Sequence, residues 1–263
     1  MIQSLIIVFI LTMIIHMFET LSYSLRLAGI RVNKLAVALS LTGIIVLISR
    51  TANLIQAPMT AKFIDYAKID PTFNVLGYLQ IILIASSIGT IIAIFLFPTF
   101  VNIWGRIISK LEVAGSLPKM ISTVTIGQLK NTKYYVKIPS FKISHFRYLG
   151  VPKRFILLNV FATAIFTVGV LSSLYAAYLV PELSTTASQS SGLINGIATI
   201  LLTLFIDPQI GLITDKALND KKYKEKISKI YIMLMISRFF GTLLSQIILI
   251  PAAYFISIMI KFF

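Results

Sequence analysis

Thr12, His16, Glu19, Tyr23 and Arg26 follow one another at steps of three or four residues. That spacing gathers all five on one face of a helix. Asn195, Thr199, Thr203 and Asp207 recur four apart, as do Asn159, Thr163 and Thr167. Thr42, Ser49, Arg50, Asn53 and Gln56 crowd one further stretch, and Arg238, Gly241, Thr242 and Ser245 another. Guanidiniums, amides, hydroxyls, two carboxylates and one imidazole suit binding better than bond-making. Arg in particular suits phosphate, because its planar fork donates two parallel hydrogen bonds and stays charged. Arg26, Arg31, Arg50 and Arg238 are therefore the candidates for a diphosphate or similar anion. His16, Glu19, Tyr23, Asn53, Gln56, Asn195 and Asp207 are the candidates for a polar cavity wall and for pairing with those arginines.

Catalysis has little to work with. There is no Cys, which excludes thiol chemistry, disulfides and Cys-ligated zinc. His16 and His145 are the two histidines of the chain, and neither a Walker motif nor a nucleophile elbow is present. No metal and no cofactor is expected, and a transporter fits better than an enzyme.

The elements that carry these residues are greasy. The chain has 263 residues, of which 57% are hydrophobic and 13% charged, whereas soluble domains carry about 25% charged residues. A water-soluble globule is excluded. About 20 apolar residues cross the roughly 30 Å of hydrocarbon, and six stretches qualify: approximately 2–24, 36–57, 76–100, 155–180, 192–213 and 232–260. The first lacks the charged start and small-residue cleavage site of a signal peptide. The fold class expected is an all-α polytopic membrane protein. Its six or so transmembrane helices surround a polar cavity, and one basic cytoplasmic loop of about 50 residues, 105–154, hangs from a single membrane domain.

The net charge of +15, from 24 Lys and Arg against 9 Asp and Glu, suggests a topology and not a nucleic-acid partner. Arg26, Arg31 and Lys34 follow the first stretch, ten basic residues run from Arg106 to Arg154, and Lys216, Lys221, Lys222, Lys224, Lys226 and Lys229 follow the fifth. The opposite side holds Lys62, Lys68 and Lys261. The rich side is the cytoplasmic one by the positive-inside rule, which puts both termini outside. Trp104 beside Arg106 reads as an interfacial anchor. Within the loop, Thr123-Val-Thr-Ile and Lys133-Tyr-Tyr-Val-Lys-Ile alternate as strands do. Its lysines would attract anionic membrane lipids, or they are simply the positive-inside bias itself.

Pro58 to Asp65 and Pro208 to Asp215 share one Pro-to-Asp spacing, which offers an inverted repeat of 1–104 and 155–263. Arg26-Leu-Ala-Gly29 and Arg147-Tyr-Leu-Gly150 favour a different alignment. The polar stripes have plain readings too. Ser, Thr and Asn often only join helices; Arg50 and Arg238 are in reach of the headgroups by snorkelling; His16 has Glu19 one turn on; Asp207-Pro208 reads as a helix break. Glu19 is the hardest to dismiss, because an unpaired carboxylate in lipid is expensive.

Glu19-Thr-Leu-Ser-Tyr-Ser-Leu-Arg-Leu-Ala-Gly-Ile-Arg31, then Ala38-Leu-Ser, then Ser49-Arg50-Thr-Ala-Asn53-Leu-Ile-Gln56-Ala-Pro58 resembles the Amj family, bacterial lipid II flippases that serve as alternates to MurJ. Asp207-Pro208-Gln-Ile-Gly211 and Gly241-Thr-Leu-Leu-Ser-Gln246 add a less specific likeness. The resemblance implies a bacterial plasma membrane protein in peptidoglycan synthesis. Its substrate would be lipid II, undecaprenyl diphosphate bearing a disaccharide-pentapeptide, moved from the inner to the outer leaflet. The alternative is a secondary transporter of a sugar or organic anion. Asp207-Pro-x-x-Gly211-x-x-x-Asp215 resembles a loop of sugar–cation symporters, and six spans would then need a homodimer. A third reading is a scaffold whose basic loop recruits partners.

Overall fold

The computed structural model describes residues 1–116, 119, 122 and 151–262. All regular structure among them is helical. Six helical runs are long and apolar enough to cross a membrane: Ile2–Arg31, Leu35–Ile69, Val75–Ala114, Lys153–Leu179, Pro181–Asn219 and Lys221–Phe262, here spans one to six. The protein is an all-α polytopic membrane protein, as its composition requires. Backbone amides and carbonyls have no partner in hydrocarbon, so a helix that bonds all of its own is the structure such runs adopt. Span three continues to Ala114 and so includes the start of the expected loop. The two strand-like segments and His145 lie outside the described residues.

The connections follow local chemistry. Asn33, at φ 55°, turns the chain between spans one and two, a left-handed conformation that Asn tolerates. Between spans two and three, Asp70 accepts from the Thr72 amide at 3.0 Å and its hydroxyl at 2.6 Å; both donors favour the carboxylate and hold Asp70 below its ordinary range. Asn74 then caps span three, accepting from the Gly77 amide at 2.9 Å. Asp220 does the same for span six through Lys222, at 2.8 Å.

Span five is assembled from pieces. A short 3-10 turn at Pro181–Leu183 and helices Ser184–Gln189 and Ser191–Leu201 lead into a π-turn at Leu202–Ile206, then helix Asp207–Asn219. Pro208 lacks an amide hydrogen, and its ring crowds the carbonyl four residues back. The widened turn before it accommodates both. Span two is interrupted near Leu41 and carries Pro58 in its interior.

Two apolar cores stack along the bundle. One, at the lysine-rich end, holds Leu25, Leu27, Ile30, Phe97, Trp104, Ile108, Phe155, Ile210, Ile227 and Tyr231. The other, at the end carrying both termini, holds Val8, Phe63, Leu79, Ile82, Leu174, Ala187, Leu249 and Ile256. Spans one and three form one closely packed pair, and spans four and six form another. Each has a glycine at its crossing. A Cβ on Gly89 would run into the Met13 carbonyl of span one; on Gly241 it would stand 2.6 Å from Thr163 Cβ and 2.7 Å from the Val160 carbonyl of span four. Small residues at crossings let helix backbones approach where lipid supplies no hydrophobic drive.

Gly89→Ala should therefore destabilise the protein by about 1–3 kcal/mol through overpacking. Gly211→Ala, where nothing stands within 4 Å of the new Cβ, should be neutral or stabilise by about 0.5–1 kcal/mol. Thermal unfolding in detergent distinguishes the two, and equal shifts would contradict the crossing.

Candidate functional site

Between the two apolar cores lies a cavity of about 500 Å³ to which all six spans contribute. Span one supplies Thr12, Ile15, His16, Glu19 and Ser22; span two Thr42, Ile45, Val46, Ser49, Arg50, Asn53 and Gln56; span three Leu83. Span four supplies Thr163, Phe166, Thr167, Val170 and Leu171; span five Asn195, Thr199 and Leu202; span six Arg238. On every span these residues fall between, or at the margins of, the stretches that build the two cores. The wall is thus a polar middle layer in an otherwise dry bundle.

Glu19 is its junction. Its Oε1 accepts from Ser49 Oγ of span two at 3.0 Å. Its Oε2 accepts from Arg238 Nη2 of span six at 3.4 Å. The Arg238 and Glu19 side chains are only 14% and 22% exposed, so the ion pair is largely shielded. Two turns toward the N-terminus of span one, Gln56 Nε2 donates to Thr12 Oγ1 at 2.8 Å, and that hydroxyl donates to the Val8 carbonyl at 2.8 Å. Asn195 lies against span four at Gly169, where any Cβ would collide with its amide oxygen.

Several polar atoms of the lining residues lack a protein partner. His16 Nδ1, Thr163 Oγ1 and Arg238 Nε are buried without a hydrogen-bond partner. Arg50 is exposed at the cavity wall, with no carboxylate in ion-pair reach among the described residues. Two guanidiniums against one carboxylate leave the wall electropositive. Buried polar groups normally have partners, so a wall with free donors and a surplus cation is one that an anionic, hydrogen-bonding ligand would complete.

Of the residues singled out in the sequence, His16, Glu19, Arg50, Asn53, Gln56, Asn195 and Arg238 come together here. Tyr23, Arg26, Arg31 and Asp207 do not line the cavity. Tyr23 is buried in the core toward the lysine-rich end, its ring 5.6 Å from that of Tyr231. Tyr231 in turn shares a 2.7 Å hydrogen bond with Thr214. Both rings belong to the apolar core at the lysine-rich end. Arg31 is exposed at the end of span one. Asn159 joins spans four and six by donating to Ser237 Oγ at 2.6 Å and to the Leu234 carbonyl at 3.3 Å, the helix-joining use of Asn. Ser22 escaped the sequence reading although it stands three residues after Glu19 on the same face. The apolar Phe166, Val170 and Leu202 carry no sequence signal of a cavity.

The Amj family, described as Alternate to MurJ, matches residues 11–260. The chain belongs to the Amj family. A relative from Bacillus subtilis (strain 168), named Lipid II flippase Amj, is 38% identical over 259 residues, covering 97% of this chain and 96% of its own. No solved structure matches this Amj-family chain.

Removing one member of the Glu19–Arg238 pair strands a shielded charge, whereas removing both does not. Glu19→Ala and Arg238→Ala should each destabilise the protein, and the double variant should be less destabilised than the sum by about 0.5–3 kcal/mol. Additive shifts in thermal unfolding would show that the pair is not coupled.

Proposed function

We propose that this protein is a lipid II flippase. It moves undecaprenyl diphosphate bearing the disaccharide-pentapeptide from the inner to the outer leaflet of a bacterial plasma membrane, for peptidoglycan synthesis. The observation that carries this reading is the electropositive, hydroxyl- and amide-lined cavity at mid-depth, in a chain 38% identical to a relative named a lipid II flippase. Each part of the substrate has a counterpart. The diphosphate takes Arg50 and Arg238; the sugars and peptide take His16, Asn53, Gln56, Asn195 and the Thr hydroxyls; the polyprenyl chain stays in lipid. Glu19 pairs with Arg238 when the site is empty, which limits the cost of a buried cation. Arg26 and Arg31 stand toward the lysine-rich end and would meet the diphosphate before it reaches the cavity.

In this reading the lysine-rich end is cytoplasmic, both termini are outside, and 1–104 and 155–263 are inverted repeats. The two glycine-locked pairs, spans one with three and four with six, support that division. Rocking of one half against the other would expose the cavity to each leaflet in turn. The cavity is formed by one chain, so a second copy is not needed to complete it. That feature favours the flippase over the dimeric solute transporter.

The test is cleavage of lipid II by an enzyme added outside cells whose resident flippase has been depleted. The wild-type protein should restore cleavage and growth. Arg50→Ala, at equal protein levels, should lower the cleaved fraction roughly 10- to 100-fold, the equivalent of about 1.4–2.8 kcal/mol of phosphate binding. Arg50→Lys should recover part of it, since a lysine keeps the charge but loses the fork. Normal cleavage by Arg50→Ala would remove that residue from the mechanism.

A further inference from the structure

The cavity has a flank that packed helices do not close. Spans two and five both line it, yet among the described residues they share no extended packing with each other. Arg50 and Thr199 line the cavity and are also exposed, so the cavity reaches the surface beside them. The rims of this opening are apolar. Leu47 and Leu54 of span two are 65% and 74% exposed, and Ile200 and Leu204 of span five are 57% and 63% exposed. Above and below, the two apolar cores are filled. An opening at that depth faces lipid chains and not water.

We propose that the slot between spans two and five is a lateral portal that holds the polyprenyl chain while the diphosphate rests on Arg50 at its threshold. The proposal builds on the lipid II reading and specifies how that substrate sits. The first isoprene of such a lipid is bonded directly to the phosphate, so a bound diphosphate requires an apolar exit next to its cation. The slot supplies one: a guanidinium inside, apolar side chains immediately beyond. A soluble anion would have no use for it and would need a water path through one of the packed cores. The two helices that frame the slot are also the two whose runs are interrupted, near Leu41 in span two and at the π-turn Leu202–Ile206 in span five. Opening the slot for a bulky head group is a motion their geometry permits.

Photo-crosslinking to radiolabelled lipid II in proteoliposomes tests this. p-Benzoylphenylalanine replaces Leu54 or Gly196 at the rims, Asn53 or Ser22 in the cavity, and Ile84, an exposed residue of span three that does not line the cavity. A Cβ at Gly196 meets nothing within 4 Å, so the probe fits there. Only variants that elute as the wild-type protein does are scored. Labelling from the rims and the cavity at several times the Ile84 level is expected. A lipid II analogue with a truncated tail should label the cavity but not the rims. Cavity labelling with rim labelling no higher than at Ile84 would overturn the portal and leave the substrate reading standing. No labelling above Ile84 at any position would overturn both.

Discussion

A carboxylate in the middle of a membrane has to be matched from outside its own helix, and Glu19 shows how. Its two oxygens are satisfied by Ser49 of span two and Arg238 of span six. Three helices are thereby fixed around one point by partners that lie far apart in the chain. An ionised group at the bilayer centre is expensive by any scale, so the helices settle where these groups face one another. The cavity is the space left when Glu19, Arg238 and Arg50 are all accommodated and the chain supplies one carboxylate for two guanidiniums. Its electropositive character follows from that mismatch.

The two apolar cores give this point its depth. Tyr23 on Tyr231, with Thr214 behind, seals one side, and Phe63, Leu79, Leu174 and Ile256 seal the other. The bundle divides its labour accordingly. Spans one with three and four with six approach closely at Gly89 and Gly241, crossings that resist sliding because backbone meets side chain or backbone. Spans two and five lack such crossings between them and carry the helix breaks. Rigid pairs with looser helices between them is the arrangement that lets a site change its exposure while its ligands keep their relative positions.

Much of this was legible in the sequence, for a reason visible in the spacing. Steps of four, three, four and three average 3.5, so Thr12, His16, Glu19, Tyr23 and Arg26 stay on one face over the whole of span one. Periodicity reports the face but is blind to depth. Tyr23 shares the stripe yet falls within the apolar core, because it packs against Tyr231 from the far end of the chain, and Arg26 is half-buried one turn further on. Span five departs differently. Strict steps of four drift about 40° per step in a 3.6-residue helix, and the π-turn at Leu202–Ile206 adds its own rotation. Asn195 and Thr199 therefore line the cavity while Asp207 does not. Pro208 was visible, but its effect on the helix ladder before it was not. Gly169 likewise gave no sign that it makes room for Asn195.

The division between Arg50 and Arg238 bears on how a substrate could drive exchange between states. A ligand shifts an equilibrium only by its differential affinity for the two conformations. Arg238 is already neutralised by Glu19, and among the described residues Arg50 has no carboxylate in ion-pair reach. A singly charged anion can be satisfied by Arg50 alone and leaves the Glu19–Arg238 contact intact. A diphosphate carries more charge than one guanidinium matches and, in the proposed reading, would compete with Glu19 for Arg238. Drawing Arg238 away loosens the link between spans one and six, which belong to different halves of the chain. In the proposed reading, binding of the doubly charged group would be coupled to one contact between the halves, whereas a single charge would not, and the site would distinguish its substrate by consequence as well as by affinity.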